Sequence, residues 1–176
     1  MKTIVAVAVF AVLIGSIPAL AEELQVGMPA PDWSFEDADG TIYSMANWEG
    51  RVLLINYVDP DASDLNEHFT DAMKKAKDAG RLTNERYKGI GIADCAATWK
   101  PNFAIRSIAG GKAKKYNTTI LFDYDGSLRK AWGLQKDTAN AVLLDKDRIC
   151  RAIVRGKVPD DQVEKLVQLA VDLQGK

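Results

Sequence analysis

Residues 51–58, Arg-Val-Leu-Leu-Ile-Asn-Tyr-Val, constrain this chain more than any other stretch. Val52 to Ile55 form a continuous apolar run, the pattern of a strand covered on both faces. A polar turn follows, Asp59-Pro60-Asp61-Ala62-Ser63-Asp64, and then Leu65, Phe69, Ala72, Met73 and Ala76 at i, i+4, i+7, i+8 and i+11. That spacing predicts one apolar stripe along a helix. Asp64 is placed to cap the helix, Glu67 to complete a capping box and Gly80 to end it. A doubly covered strand running into an amphipathic helix needs layers above and below the sheet, so the chain is expected to be α/β.

The remaining pattern agrees. Asp37-Ala38-Asp39-Gly40 reads as a turn between two short strands. Tyr87 to Asp94 is a second strong strand, followed by a helical stretch from Asn102 to Ile108 that Gly110-Gly111 should break. Thr118 to Phe122, Ala141 to Leu144 and Ile149 to Arg155 are further strands, the last two joined through Asp145-Lys146-Asp147-Arg148. Pro159, Asp160 and Asp161 open a closing helix, with acids in its first turn. Parallel crossovers followed by a hairpin and a last helix predict a three-layer α/β sandwich, with a central mixed sheet and an N-terminal β-hairpin extension.

Residues 1–21 read as an address. Lys2 gives a positive start, Ile4 to Ile14 an apolar run, and Ala19-Leu20-Ala21 a small-x-small cleavage site. The run falls short of the roughly 20 residues a spanning helix needs. Cleavage there leaves residues 22–176 as a single domain, expected in the periplasm and not inserted in the membrane. Removing Lys2 takes the net charge of −1 one unit further negative. Such a balance lacks the basic stripe that nucleic acid requires.

Few residues carry chemistry. Cys150 lies in a strand with Ala152 and Val154 on the same face and reads as a small buried hydrophobe. Cys95 follows a strand at its carboxyl end, where α/β sheets bind ligands, and is the alternative as a reactive thiol. Asp37/Asp39, Asp59/Asp61, Asp123/Asp125 and Asp145/Asp147 resemble the opening of a calcium loop. The acid required at the twelfth position is replaced by Trp48, Thr70, Leu134 and Gly156. Only Asp59, Asp61 and Asp64 concentrate carboxylates in one loop, which leaves a weak cation site as another alternative. The one histidine, His68, is expected to pair with Asp64 on the surface. No Gly-x-Ser-x-Gly elbow or nucleotide fingerprint is present, and no cofactor is expected.

The segment Gly27-Met28-Pro29-Ala30-Pro31-Asp32-Trp33-Ser34-Phe35, followed by Asp39-Gly40, resembles the N-terminal hairpin of exported thioredoxin-like and peroxiredoxin proteins. Ala131-Trp132-Gly133-Leu134 and Val142-Leu143-Leu144-Asp145-Lys146-Asp147 resemble the region around their final hairpin. More narrowly, the chain resembles the YtfJ-like family of exported bacterial proteins, which has a thioredoxin-like fold and no established activity.

In thioredoxins a redox Cys-x-x-Cys sits where the first long strand meets its helix. An ungapped match from Asn56-Tyr57 puts Ala62 and Leu65 at the two cysteine positions. Thiol exchange needs a thiolate there, with its pKa lowered by the helix start. The cis-proline that faces those cysteines corresponds to Tyr116-Asn117-Thr118-Thr119 or, counting back from Asp145, to Thr138-Ala139, and neither contains proline. In the thioredoxin strand order Cys95 and Cys150 lie three strands apart, about 14 Å at ~4.8 Å per strand, too far for a disulfide. The resemblance therefore implies a redox scaffold that acts by binding an envelope protein or small ligand, held near Asp59, Asp61, Ser63, Asp64 and Thr138. The alternative keeps enzymatic chemistry as a one-cysteine peroxidase or thiol oxidoreductase built on Cys95.

Overall fold

The computed structural model describes residues 23–175, so the expected leader lies outside the described residues. In chain order the elements are β1 (Ser34–Glu36), β2 (Ile42–Ser44), β3 (Val52–Val58), α1 (Glu67–Asp78), β4 (Tyr87–Asp94), α2 (Asn102–Tyr116), β5 (Thr119–Asp123), α3 (Ser127–Trp132), β6 (Ala139–Leu144), β7 (Cys150–Arg155) and α4 (Asp160–Gln174). The strands form one mixed sheet in the order β2-β1-β5-β4-β3-β6-β7. β3 runs parallel to β4, with Val52 opposite Tyr87, and antiparallel to β6, with Ile55 opposite Val142.

The apolar run of β3 serves both faces because successive side chains alternate across a strand. Leu53, Ile55 and Tyr57 pack with Trp33, Trp48 and Trp132 on one side. Val52 and Leu54 meet Phe69 and Met73 of α1 and Val167 and Ala170 of α4 on the other. A smaller cluster, Cys95, Ile105, Ala109 and Phe122, lies beneath α2. The outer edge of β7 is covered by the N-terminal segment: Gly27 N–H donates to the Cys150 carbonyl, and Cys150 N–H to that of Met28. Such cover shields an edge from pairing with other chains.

Four expectations are corrected. First, α1 begins at Glu67, not at Asp64. Pro60–Ala62 forms a separate 3-10 turn, and Asn66 occupies the N-cap position without a side-chain cap bond. The Asn66 amide instead donates to the Gly156 carbonyl (3.1 Å) and its oxygen accepts the Val158 N–H (2.8 Å). Leu65 consequently leaves the apolar stripe and is 36% exposed. Second, Gly110-Gly111 does not break α2, which runs on to Tyr116 and closes on Asn117 in the left-handed region (φ 45°). Bonds on both sides of the glycines hold it. Arg106 reaches Glu36 (2.6 Å) and the Ala38 carbonyl (3.0 Å), Lys112 reaches Asp64 in the loop before α1, and Lys115 and Tyr116 reach Glu67 at its start. Third, α3 is an element the pattern did not announce. Fourth, an irregularity between the Leu143 and Leu144 pairings sets Cys150 opposite Leu144 and Ala152 opposite Leu143. This bulge turns Cys150 toward the tryptophan side, while Ala152 and Val154 face α1 and α4.

Candidate functional site

At the end of β3 the chain turns over the carboxyl ends of the strands. Asp59 accepts the Asp61 N–H (2.8 Å) and so caps the 3-10 turn. Its own N–H donates to the Thr138 carbonyl (2.9 Å), one residue before Ala139 pairs with Val58. Thr138 thus faces this loop, as the count back from Asp145 expects, whereas Thr119 begins β5 opposite Ile90. Ala62 ends the 3-10 turn and Leu65 lies in the link to α1, so no sulfur stands at either position.

The acids of the loop are engaged by protein donors. Asp61 accepts from Thr98 Oγ1 (2.6 Å) and pairs with Lys100. Lys112 donates to the Ser63 carbonyl (3.0 Å) and to the Asp64 carboxylate, and Lys115 and Tyr116 both donate to Glu67. The Lys112 bond holds the Asp64 carboxyl below its ordinary range, and the Lys115 bond does the same for Glu67. Asp59 shifts the other way: burial, then the charges of Asp137 and Asp94, push it up against Lys100 and Lys136. Among the described residues, no cluster of three or more His, Cys, Asp or Glu is arranged to hold a metal ion. His68 does not pair with Asp64. Its Nε2 lies 2.9 Å from the Val158 carbonyl and 3.4 Å from Asp160.

Both cysteines are buried. Cys95 is 8% exposed, covered by Ile105 and Ala109 of α2. Burial, then the negative charges of Asp123 and Asp94, push its thiol up to about 12. Cys150 is fully buried, and burial raises its thiol as well. β3 and β6 separate β4, which Cys95 follows, from β7, which Cys150 opens, and both thiols are free.

Sequence reading missed a buried polar network beside the loop. Asp123 accepts from Tyr57 Oη (2.9 Å) and from the backbone N–H groups of Ser127 and Leu128 (3.0 Å each), and so holds the start of α3. Asp94, opposite Asp123 in the sheet, accepts from Arg129 Nε (2.7 Å), while its Oδ1 has no hydrogen-bond partner among the described residues. Desolvation and the two carboxylates raise the Tyr57 hydroxyl far above its ordinary value. The available signal was two carboxylates closing adjacent parallel strands, hidden because Asp123-Tyr124-Asp125-Gly126 also reads as a turn.

The open space lies on the other face. α1 and α2 stand apart over β3 and β4 and leave a groove of about 380 Å³ that reaches Ser63 and Pro60 at the loop end. That is within the usual ligand-site range of about 300–1,000 Å³. Gly89, Gly91 and Ala93 alternate along its floor, and Tyr87 and Ile120 lean onto the two glycines.

Known proteins place this architecture. The thioredoxin domain of a thiol-disulfide oxidoreductase from Bacteroides vulgatus superposes with a TM-score of 0.64 at 16% identity, over 84% of this chain and 99% of that one. A peroxidoxin from Mycobacterium tuberculosis gives 0.62 at 12% identity, over 85% and 97%. An exposed lipoprotein thioredoxin from Streptococcus pneumoniae gives 0.61 at 14% identity, over 79% and 99%. At these identities the likeness establishes a thioredoxin-like fold and nothing finer. By sequence, an uncharacterized protein from Haemophilus influenzae is 21% identical over 131 residues, 72% of this chain and 69% of its own length. The model of a bacterial protein family of unknown function, YtfJ_HI0045, matches residues 36–173, and the chain belongs to that family.

Proposed function

We propose that this protein is an exported accessory protein of the bacterial envelope that works by binding and not by thiol–disulfide exchange. The observation that carries the reading is the state of Cys95: the sulfur nearest the carboxyl ends of the strands is covered by α2, with its thiol pushed up to about 12. Thiolate is the attacking species in exchange and in peroxide reduction. A thiol so protonated and enclosed supplies neither. Ala62 and Leu65 at the positions of the thioredoxin cysteines support the same reading. The binding region is the loop Asp59, Asp61, Ser63 and Asp64 with Thr138 across from it, together with the groove that opens beside Ser63. No described helix is long and apolar enough to cross a membrane.

Insulin reduction and peroxide consumption by residues 22–176 test this directly. The expected outcome is no turnover above buffer, identical in Cys95→Ser. Turnover that vanishes in Cys95→Ser would replace the reading with a one-cysteine enzyme. Export is tested by fusing residues 1–21 to a reporter active only outside the cytoplasm.

A further inference from the structure

The groove between α1 and α2 differs from the rest of the molecule in charge. Its floor and walls are largely apolar: Leu54 and Val58 of β3, the Gly89–Gly91 floor, Met73 of α1, and Ile105 and Ile108 of α2. Ile108 is 42% exposed at the mouth. The charged residues lining the groove are five cations and one acid, in a chain whose net charge is −1. The acid, Glu67, is already engaged by Lys115 and Tyr116, while Lys74 pairs with Asp78 and Lys112 with Asp64. Lys88 follows Tyr87 by one residue and turns to the opposite face of the sheet, its Nζ 5.8 Å from the centroid of the Trp48 ring. The other two, Arg51 and Lys77, have no carboxylate within ion-pair distance among the described residues.

These two lie at one end: Arg51 precedes β3 and Lys77 lies in the last turn of α1. Both stand near enough to Lys88 to act on it, since burial first, then the charges of Lys77 and Arg51, hold the Lys88 ammonium below its ordinary value. Like charges brought together without a counterion are unfavourable, and an anion placed between Arg51 and Lys77 relieves this. From that end the groove follows β3, a strand of seven residues, to Pro60 and Ser63. At ~3.3 Å per residue it is about 23 Å long. An elongated apolar slot with uncompensated cations at one mouth fits a molecule with one apolar chain and one anionic head.

We infer that the α1–α2 groove binds a long-chain carboxylate, its chain laid over Gly89 and Gly91 and its head between Arg51 and Lys77. The assignment rests on the proposed binding role and names its ligand class. Titration calorimetry of residues 22–176 with dodecanoate, below its micelle concentration, should give saturable one-to-one binding. Dodecyltrimethylammonium and acetate should give none, since one lacks the charge and the other the chain. Lys77→Glu and Arg51→Glu should each weaken dodecanoate by ~10-fold or more, the size of a lost charge-assisted bond. Ile108→Glu at the mouth should do the same. Lys157→Glu, outside the groove lining, controls for net charge and should leave binding unchanged, and circular dichroism verifies that every variant is folded. Equal binding of the cationic and anionic detergents, binding unaffected by all three groove variants, or no binding would overturn the assignment. So would co-sedimentation with phosphatidylglycerol vesicles without dodecanoate binding, because that describes a membrane surface and not a groove. Absence of dodecanoate binding with no thiol turnover removes the ligand class alone, whereas turnover lost in Cys95→Ser removes the binding role beneath it.

Discussion

Cys95 offers the sharpest quantitative test of a thioredoxin-like scaffold without thiol chemistry. In a Cys150→Ala background it is the only sulfhydryl, so modification by a disulfide reagent such as dithionitrobenzoate reports on it alone. Its thiol is pushed from an ordinary 9.0 to about 12. Three units leave ~1000-fold less thiolate at neutral pH, a factor of ten per unit. Enclosure under Ile105 and Ala109 adds a further barrier, because the reagent must wait for α2 to open. Labelling of the native protein at pH 7.5 is therefore expected to be at least ~100-fold slower than in guanidinium, since the greater nucleophilicity of a high-pKa thiolate offsets part of its scarcity, and to accelerate with denaturant well below the unfolding midpoint. The alkaline limb carries the same information. Above about pH 9 the unfolded chain releases this proton while the folded chain keeps it, so stability falls as pH rises from 9 toward 12 by at most about 1.4 kcal/mol per unit; below 9 Cys95 contributes no slope. Tyr57 and Tyr87 are also raised in the folded state and add to the fall above pH 10, so the Cys95 share is the difference between the parent and its Cys95→Ala variant. Native labelling at the rate of the denatured chain, or no such difference at high pH, would refute the reasoning.

Three further outcomes are expected, each read by urea denaturation. Asn66→Ala removes the buried amide that joins the start of α1 to Gly156 and Val158 and should cost about 2–4 kcal/mol, since it strands a buried donor and acceptor. Arg129→Met leaves Asp94 buried without its cation and should cost about 3–5 kcal/mol, with part recovered in the double variant with Asp94→Asn. Gly111→Ala meets no atom within 4 Å in a helical backbone and should stabilise by about 1 kcal/mol; a loss would mean that α2 is broken there after all.

The elements legible in the sequence are those whose signal is local and redundant. β3, β4 and β6 are apolar runs bounded by turn residues, and α4 has its proline, its acids and its stripe in one window. The start of α1 was not legible because Asp59, Asp64 and Asn66 are all good cap residues, and the choice among them is made ninety residues away, at Gly156 and Val158. Gly110-Gly111 carries a true local penalty, overridden by anchors in the hairpin and at α1 that no window of sequence contains. The facing of Cys150 depends on one extra residue in β7, which a period-two reading cannot detect. Of the candidate site, Asp59 and Thr138 do meet. Asp61, Ser63 and Asp64 instead turn out to be tied to the segment that carries α2, because partners as distant in sequence as Lys100 and Lys112 leave no mark on the loop itself.

The loop also shows that this scaffold differs from a thioredoxin by more than two substitutions. A thiolate at a helix start is stabilised by free N–H groups and the positive end of the dipole, an influence that fades within one turn. Here α1 starts at Glu67, five residues beyond Ala62, and the stretch between is a capped 3-10 turn and a link. The first position therefore lies outside the reach of the helix end. The cationic side chains nearest the loop, Lys100 and Lys112, are already committed to Asp61 and Asp64. Those same bonds fasten α2 over Cys95 and form one wall of the groove. The sulfur-free turn, the late helix start and the tie of α2 to the loop thus belong to a single arrangement, which leaves a groove open beside the loop.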